Sequence, residues 1–179
     1  MKTLEQQMAF YAAYHQDARN KATHFVGVPM IMLSLFIALA WLRLPLGEFD
    51  ITGALIFAAV VMVYYFLLDV PLAVAMLAVS AALVWAGEMI AVQGFRVGLP
   101  WFFVLFVGGW ALQLLGHVFE GRKPALADNL FQIFVAPIFL CAEVFFGLGY
   151  KPALHAAVQR RALEMRAAAG FSSAARTAH

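Results

Sequence analysis

Long apolar runs alternate with short polar breaks along this chain, and the breaks hold most of its few charges. Near the amino end, Leu4, Met8, Tyr11 and then Tyr14 or His15 recur at helical spacing among Glu5, Gln6, Gln7 and Asp17. That pattern predicts an amphipathic helix over residues 3–18, lying along a membrane interface rather than crossing it. Four apolar runs follow, over residues 25–44, 52–68, 72–92 and 99–116. Gly27 and Pro29 open the first, and Arg43 and Pro45 close it; Asp69-Val70-Pro71 ends the second; Gln93-Gly94 follows the third. Each is close to the 17–25 residues required by a hydrocarbon core of roughly 30 Å, so each predicts a full span.

Residues 130–149 are as apolar, but they carry Pro137 centrally and Glu143 six residues later. Proline removes a backbone donor and kinks a helix, and a carboxylate at mid-membrane is costly. The expectation is therefore a Pro-broken fifth segment, re-entrant or folded as paired half-helices, with Glu143 facing the protein interior or the Glu120 side. Charge placement agrees. If the segment returns to its starting face, ten of the twelve basic residues share one side and only Arg43 and Arg96 lie opposite. By the positive-inside rule that side is cytoplasmic and holds both termini. The fold class expected is thus an all-α integral membrane helix bundle of four full spans, the broken fifth segment and an amino-terminal interfacial helix. Residues 1–150 form its membrane domain. Residues 151–179 are a basic cytoplasmic tail, helical over 152–169 and loose over its last ten residues.

Composition sharpens the class. The sequence is 64% hydrophobic and 12% charged with a mean hydropathy of +0.84, too little polar surface to cover a soluble globule of 179 residues. A net charge of +2 without a basic stripe argues against nucleic acid. Cys141, alone, reads as a small buried hydrophobe and excludes a disulfide framework. The first 24 residues have no apolar core of a cleavable signal, so insertion would rest on the spans themselves. A bacterial inner membrane fits this compact chain, as does an endoplasmic reticulum. A homo-oligomer is compatible with it.

The chemistry-bearing side chains gather at two membrane ends. Tyr14-His15-Gln16-Asp17-Ala18-Arg19-Asn20-Lys21-Ala22-Thr23-His24 precedes the first run, and Gly116-His117-Val118-Phe119-Glu120-Gly121-Arg122-Lys123-Pro124 follows the fourth. Four spans, an even number, separate the two stretches, so both lie on one face. His117 and Glu120, three residues apart, share a helix side, and Gln113 lies one turn before them. His15 and His24 are nine apart, a rotation of roughly 180° on an unbroken helix. They can converge only if the chain breaks between them, and Asn20 is the expected break, since asparagine caps helices and tolerates the left-handed conformation. A lone interfacial histidine ordinarily snorkels, but three of the five sharing a face with Glu120 point to a common ligand. His155 and His179 read as solvated tail residues, Asp69 and Glu88 as snorkelling charges, and Trp101-Phe102-Phe103 as an interfacial belt. Imidazoles with carboxylate and no thiolate suit Fe(II), Zn, Mn or Co, with open positions resembling those of non-haem Fe(II) oxygenases.

The set Tyr14-His15, Asn20, Thr23-His24, Gly27 and Pro29, with Gly116-His117, Phe119-Glu120, Arg122, Pro124-Ala125-Leu126 and Ala136-Pro137 through Glu143, resembles the 2-hydroxy fatty acid dioxygenase family. The likeness covers roughly residues 5–150. It implies Fe(2+)-dependent α-oxidation, in which a 2-hydroxy fatty acid and O2 give CO2 and a fatty acid one carbon shorter. R-CH(OH)-COOH loses four electrons in becoming R-COOH and CO2, the number that takes O2 to water, so no organic co-reductant is required. On this reading His15, His24 and His117 hold iron, with Glu120 a fourth ligand or a base. Glu120, Asn20 and Tyr14 are the catalytic candidates, and Arg122, Lys123, Arg19 and Gln113 the substrate-binding ones, with Lys21 similar to Arg19. Two other readings use the same residues: a Zn-dependent membrane lipid hydrolase, and a small transporter or scaffold whose histidines sense protons.

Overall fold

In the computed structural model the described residues are 3–47, 49–125 and 129–168, and they build seven helices and one small hairpin. In chain order these are α1 (Leu4–Ala12), α2 (Ala18–Ala40), β1 (Arg43–Leu46), β2 (Phe49–Thr52), α3 (Gly53–Leu68), α4 (Val70–Ala91), α5 (Phe95–Glu120), α6 (Gln132–Gly147) and α7 (Pro152–Ala168). The hairpin is antiparallel, pairing Arg43 with Thr52 and Leu46 with Phe49, and it lies where sequence patterning showed only a break.

Three helices, α2, α4 and α5, are long and apolar enough to cross a bilayer, marking a membrane protein. The second expected span is shorter: α3 has 16 residues, about 24 Å at 1.5 Å per residue. Thr52 caps its start and Tyr65 O closes its end against Asp69 N at 3.0 Å. Asp69 also caps α4 and is paired with Lys151, so it is a junction rather than a snorkelling charge. The outer faces remain apolar: Val60, Leu67, Trp85 and Val104 are all more than 60% exposed, as suits lipid rather than water.

Two expectations about breaks are corrected. The interfacial helix stops at Ala12, not at residue 18, and the chain turns over residues 13–17 before Asp17 caps α2. Asp17 Oδ1 accepts from Arg19 N at 2.8 Å, which places Asn20 inside the first turn of α2 instead of at the break. The fifth segment is one continuous helix, not two halves. Pro137 is the sixth residue of α6, where its missing N–H removes a single backbone bond and the helix continues. Both ends of α6 touch the amino-terminal face. Gln132 Nε2 approaches Gln7 Oε1 at 3.5 Å, and Glu143 pairs with Lys21 at 2.6 Å. Glu143 therefore faces Lys21 rather than Glu120.

The principal packing is α2 against α5, and glycines permit it. A Cβ on Gly27 would lie 2.9 Å from Gly109 O, and one on Gly109 would lie 2.9 Å from Gly27 O. Seven residues further along α5, a Cβ on Gly116 would collide with Thr23 Oγ1 and Asn20 Oδ1. The carboxyl-terminal α7 lies on α1 with Val158 and Ala162 wholly buried, so the basic tail is packed onto the domain over its described length. His179 and the last ten residues lie outside the described residues.

Candidate metal centre

Close approach of α2 and α5 brings His24, in the second turn of one, beside His117, in the last turn of the other; their ring centroids are 5.1 Å apart. The turn over residues 13–17 brings His15 onto both, with centroids 4.6 Å from His24 and 5.0 Å from His117. One ring nitrogen of each histidine lies within 4.8 Å of the other two, and all three residues are buried. The break that the nine-residue spacing demanded is present, and His15 sits within it.

Two of the three rings are oriented from behind. His15 Nδ1 is 2.8 Å from Tyr11 O, and the ring stacks on Tyr11 at 3.9 Å with only 3° between planes. His24 Nδ1 is 2.9 Å from Asn20 O. A carbonyl can only accept, so both Nδ1 atoms carry the proton and both Nε2 atoms present lone pairs. Those two Nε2 atoms face each other at 3.1 Å. Two facing lone pairs repel unless a cation lies between them. Nitrogens bound to one ion at about 2.0–2.1 Å stand roughly 2.9–3.4 Å apart, so the spacing fits a shared metal. Burial, followed by the charge His24 would carry, pushes the His15 pKa well below its ordinary value, which keeps the imidazole neutral as metal binding requires. His117 Nδ1 is buried with no partner, a further donor atom awaiting an acceptor or an ion.

Glu120 lies beside this trio but outside it, and its oxygens are engaged elsewhere. Oε2 accepts from Gln16 N at 3.0 Å, Asp17 N at 2.7 Å and Asn20 Nδ2 at 3.2 Å, while Oε1 pairs with Arg166 at 2.7 Å. A carboxylate at 4% exposure is tolerable only when its lone pairs are so satisfied. Its work is to tie the end of α5 to the turn that carries His15. Asn20 belongs to the same net, its Nδ2 also donating to Tyr14 O at 3.2 Å and its Oδ1 buried without a partner. Tyr14 contributes that carbonyl, while its ring lies under Arg122 at 4.9 Å.

Of the expected substrate cations, Arg122 donates to Ala13 O at 2.5 Å and thereby braces the same turn. Arg19 is exposed, holds the Asp17 carboxyl down at about 2 by hydrogen bonding and charge, and lies over Phe119 at 4.8 Å. Lys21 is spent on Glu143, and Lys123 is exposed on the loop after α5. Gln113 does reach the centre's cavity, with a buried, unpartnered Nε2.

That cavity, about 190 Å³, opens from the imidazoles into the apolar interior between α2, α3, α5 and α6. Four contributors escaped sequence reasoning. Tyr11 carries a detectable signal, an aromatic residue four positions before His15. Gln132 also does, as a lone amide opening an apolar run; it is 1% exposed, lines the cavity and leaves Oε1 unpartnered. Gln16 acts through its backbone and Arg166 through a long-range contact, and neither leaves a local trace. His155 stacks on Phe146 at 4.7 Å, in α7, apart from the trio.

A family model described as 2-hydroxy-palmitic acid dioxygenase Mpo1-like matches residues 1–148. The chain belongs to that family. The Mpo1-like match takes in every histidine of the trio and Glu120, and stops short of α7. The chain is also similar to the 2-hydroxy-palmitic acid dioxygenase MPO1 of Saccharomyces cerevisiae (strain ATCC 204508 / S288c), 33% identical over 160 residues that cover 87% of each protein. No solved structure matches it. Membership of this family supports an enzymatic role in lipid metabolism.

Proposed function

We propose that this Mpo1-like protein is an Fe(II)-dependent dioxygenase that converts 2-hydroxy fatty acids to fatty acids one carbon shorter, releasing CO2. The observation that carries the reading is the convergence of three buried imidazoles, two of them oriented by backbone carbonyls, at the head of an apolar cavity. His15, His24 and His117 would hold the ion, leaving coordination positions open. Fe(II) there supplies the one-electron chemistry that lets O2 react with a closed-shell acid. The balance is complete without another reagent: R-CH(OH)-COOH and O2 become R-COOH, CO2 and H2O.

The chain's own residues do the rest. Tyr11 O and Asn20 O fix the tautomers of His15 and His24, so that their Nε2 lone pairs point inward. Glu120 fixes the turn over residues 13–17 and with it the position of His15. Gln113 and Gln132 line the cavity wall and keep unpartnered amide atoms, Nε2 and Oε1, so their amides are the groups suited to a carboxylate and a 2-hydroxyl. The apolar walls keep water from competing for the open positions. Both ends of α6 touching the amino-terminal face supports a fifth segment that does not cross, hence both termini on the cytosolic side. An amphiphilic acid would reach such a site from the lipid, head first.

The test is anaerobic purification with metal analysis, followed by oxygen uptake on adding 2-hydroxypalmitate. The expected result is about one iron per chain and equal amounts of O2 consumed, CO2 released and fifteen-carbon acid formed. Zinc in place of iron with no oxygen consumed would overturn it.

A further inference from the structure

We propose that the cavity is a measured slot for the substrate's alkyl chain, and that Phe57 and Ser80, with Phe36, form the floor that limits chain length. This rests on the dioxygenase reading for the identity of the head group, but the slot itself is argued from the helices. Along α2 the lining residues are His24, Val28, Ile31, Met32, Leu35 and Phe36. From His24 through Val28 and Ile31 to Leu35, steps of four, three and four keep one helical face on the cavity. His24 to Phe36 is twelve residues, about 18 Å at 1.5 Å per residue. An extended alkyl chain with C–C bonds near 1.5 Å advances about 1.25 Å per carbon, so such a slot takes about fourteen carbons beyond the head.

The lining stops where packing becomes dense. Phe36, 3% exposed, meets the Phe57 ring edge-on with centroids 6.4 Å apart, and Phe57 also lies 6.2 Å from Phe134. Ser80, 6% exposed, completes this end from α4. Beyond it Phe36, Ala40, Ala54, Val84 and Ala91 form a packed cluster, and a Cβ on Gly87 would lie 3.0 Å from Phe36 Cβ, so α4 is already pressed against the floor. The polar atoms on the walls are concentrated near the head. Gln113 is one turn from His117, and the Tyr65 hydroxyl is already committed to Phe134 O at 2.7 Å. Apart from the Ser80 hydroxyl at the floor and the Trp110 indole, the walls below the head are apolar, with Val28, Ile31, Leu35, Ala58 and Val61, as suits an alkyl tail.

The experiment is internal competition. Iron-loaded full-length protein in lipid nanodiscs receives an equimolar mixture of saturated 2-hydroxy acids of ten to twenty-two carbons, and the shortened products are quantified together. Ratios within one mixture do not depend on how much of a variant folds. Phe57→Ala removes a ring from the floor and should raise products from chains longer than sixteen carbons relative to sixteen. Ser80→Leu, and Ala58→Phe higher in the slot, should raise products from shorter chains. Each methylene gaining or losing a place should change the ratio about fourfold. Active variants with unchanged ratios would overturn the slot. If wild-type protein turns over no 2-hydroxy acid, the dioxygenase reading fails alone, and the slot is judged by binding of plain saturated fatty acids of the same lengths. A length cut-off that shifts in opposite directions in the two kinds of variant upholds it, and affinity rising smoothly with length in all of them refutes it.

Discussion

The two ends of the helix bundle both place arginine beside carboxylate, yet they are built to different standards. At the hairpin end Arg43 is shared between Asp50 at 3.8 Å and Glu88 at 3.6 Å, with the Arg43 side chain 43% and Asp50 50% exposed. At the histidine end the Glu120 side chain is 2% exposed and takes a guanidinium at 2.7 Å together with two backbone N–H groups and an amide. Exposed pairs of the first kind contribute about 0–1 kcal/mol. A buried, fully bonded carboxylate is different, because removing any partner strands what remains. Among the described residues most of the buried polar groups lie at the end where the three imidazoles meet, although Thr52, Ser34 and Ser80 are buried elsewhere. Mutations of equal chemistry should therefore differ sharply in effect between the two ends.

The largest effect should come from the imidazoles themselves. His24→Ala or His117→Ala removes one of the three proposed ligands, and iron per chain should fall at least tenfold by elemental analysis, with helix content by circular dichroism unchanged. Retention of iron by both variants would dissolve the contrast, since the buried end would then hold no metal through these residues.

Next is Glu120→Ala. It leaves two backbone N–H groups and the Arg166 guanidinium without their acceptor, at a cost of about 3–5 kcal/mol. Because the freed turn carries His15, metal affinity should also fall about 10–100-fold. Thermal unfolding and a metal titration measure the two separately. Loss of stability with unaltered metal affinity would show that Glu120 braces the fold without orienting the ligand.

The contrast between ends also explains what could be read in advance. The runs that became α2, α4 and α5 were visible because lipid demands uninterrupted apolar residues, and the pairing of His24 with His117 followed from which face each run must leave. The centre needed a break between His15 and His24, but Asp17 and Asn20 are both good caps, and only the Arg19 N–H bond to Asp17 decides between them. Pro137 marked a weakened helix, but a lost hydrogen bond in the second turn did not stop α6, because a helix within lipid has no better place for its remaining backbone groups. The role of Glu120 was hidden for a different reason. Spacing places it on the face of His117, while the donors that claim it come from residues about a hundred positions earlier and from Arg166, forty-six later.

Arg166 gives a smaller test, outside the 148 residues of the family match. Its Nη1 donates to Glu120 Oε1 at 2.7 Å and to Ala13 O at 3.0 Å, joining α7 to both sides of the turn. Arg166→Ala removes one of Glu120's four hydrogen-bond donors described above and should cost about 1–3 kcal/mol, less than Glu120→Ala. Arg166→Lys should recover part of that, since the ammonium restores the charge and a donor nitrogen but on a shorter side chain of different geometry. If Arg166→Ala is as damaging as Glu120→Ala, the ion pair rather than the backbone N–H groups dominates the net.

The smallest effect should be at the hairpin. Arg43→Ala breaks two contacts longer than hydrogen bonds between side chains that water already solvates, and Glu88 keeps the Thr52 hydroxyl at 2.5 Å. Unfolding stability should change by less than about 1 kcal/mol, and metal affinity not at all. The residual difference should shrink as salt is raised from 0.1 M to 1 M, because the Debye length falls from about 10 Å to about 3 Å. The Glu120→Ala deficit should persist under the same titration, since a carboxylate net closed to solvent is screened far less. A salt-insensitive loss at Arg43, equal to that at Glu120, would mean that both ends are braced alike and that burial does not distinguish the metal centre.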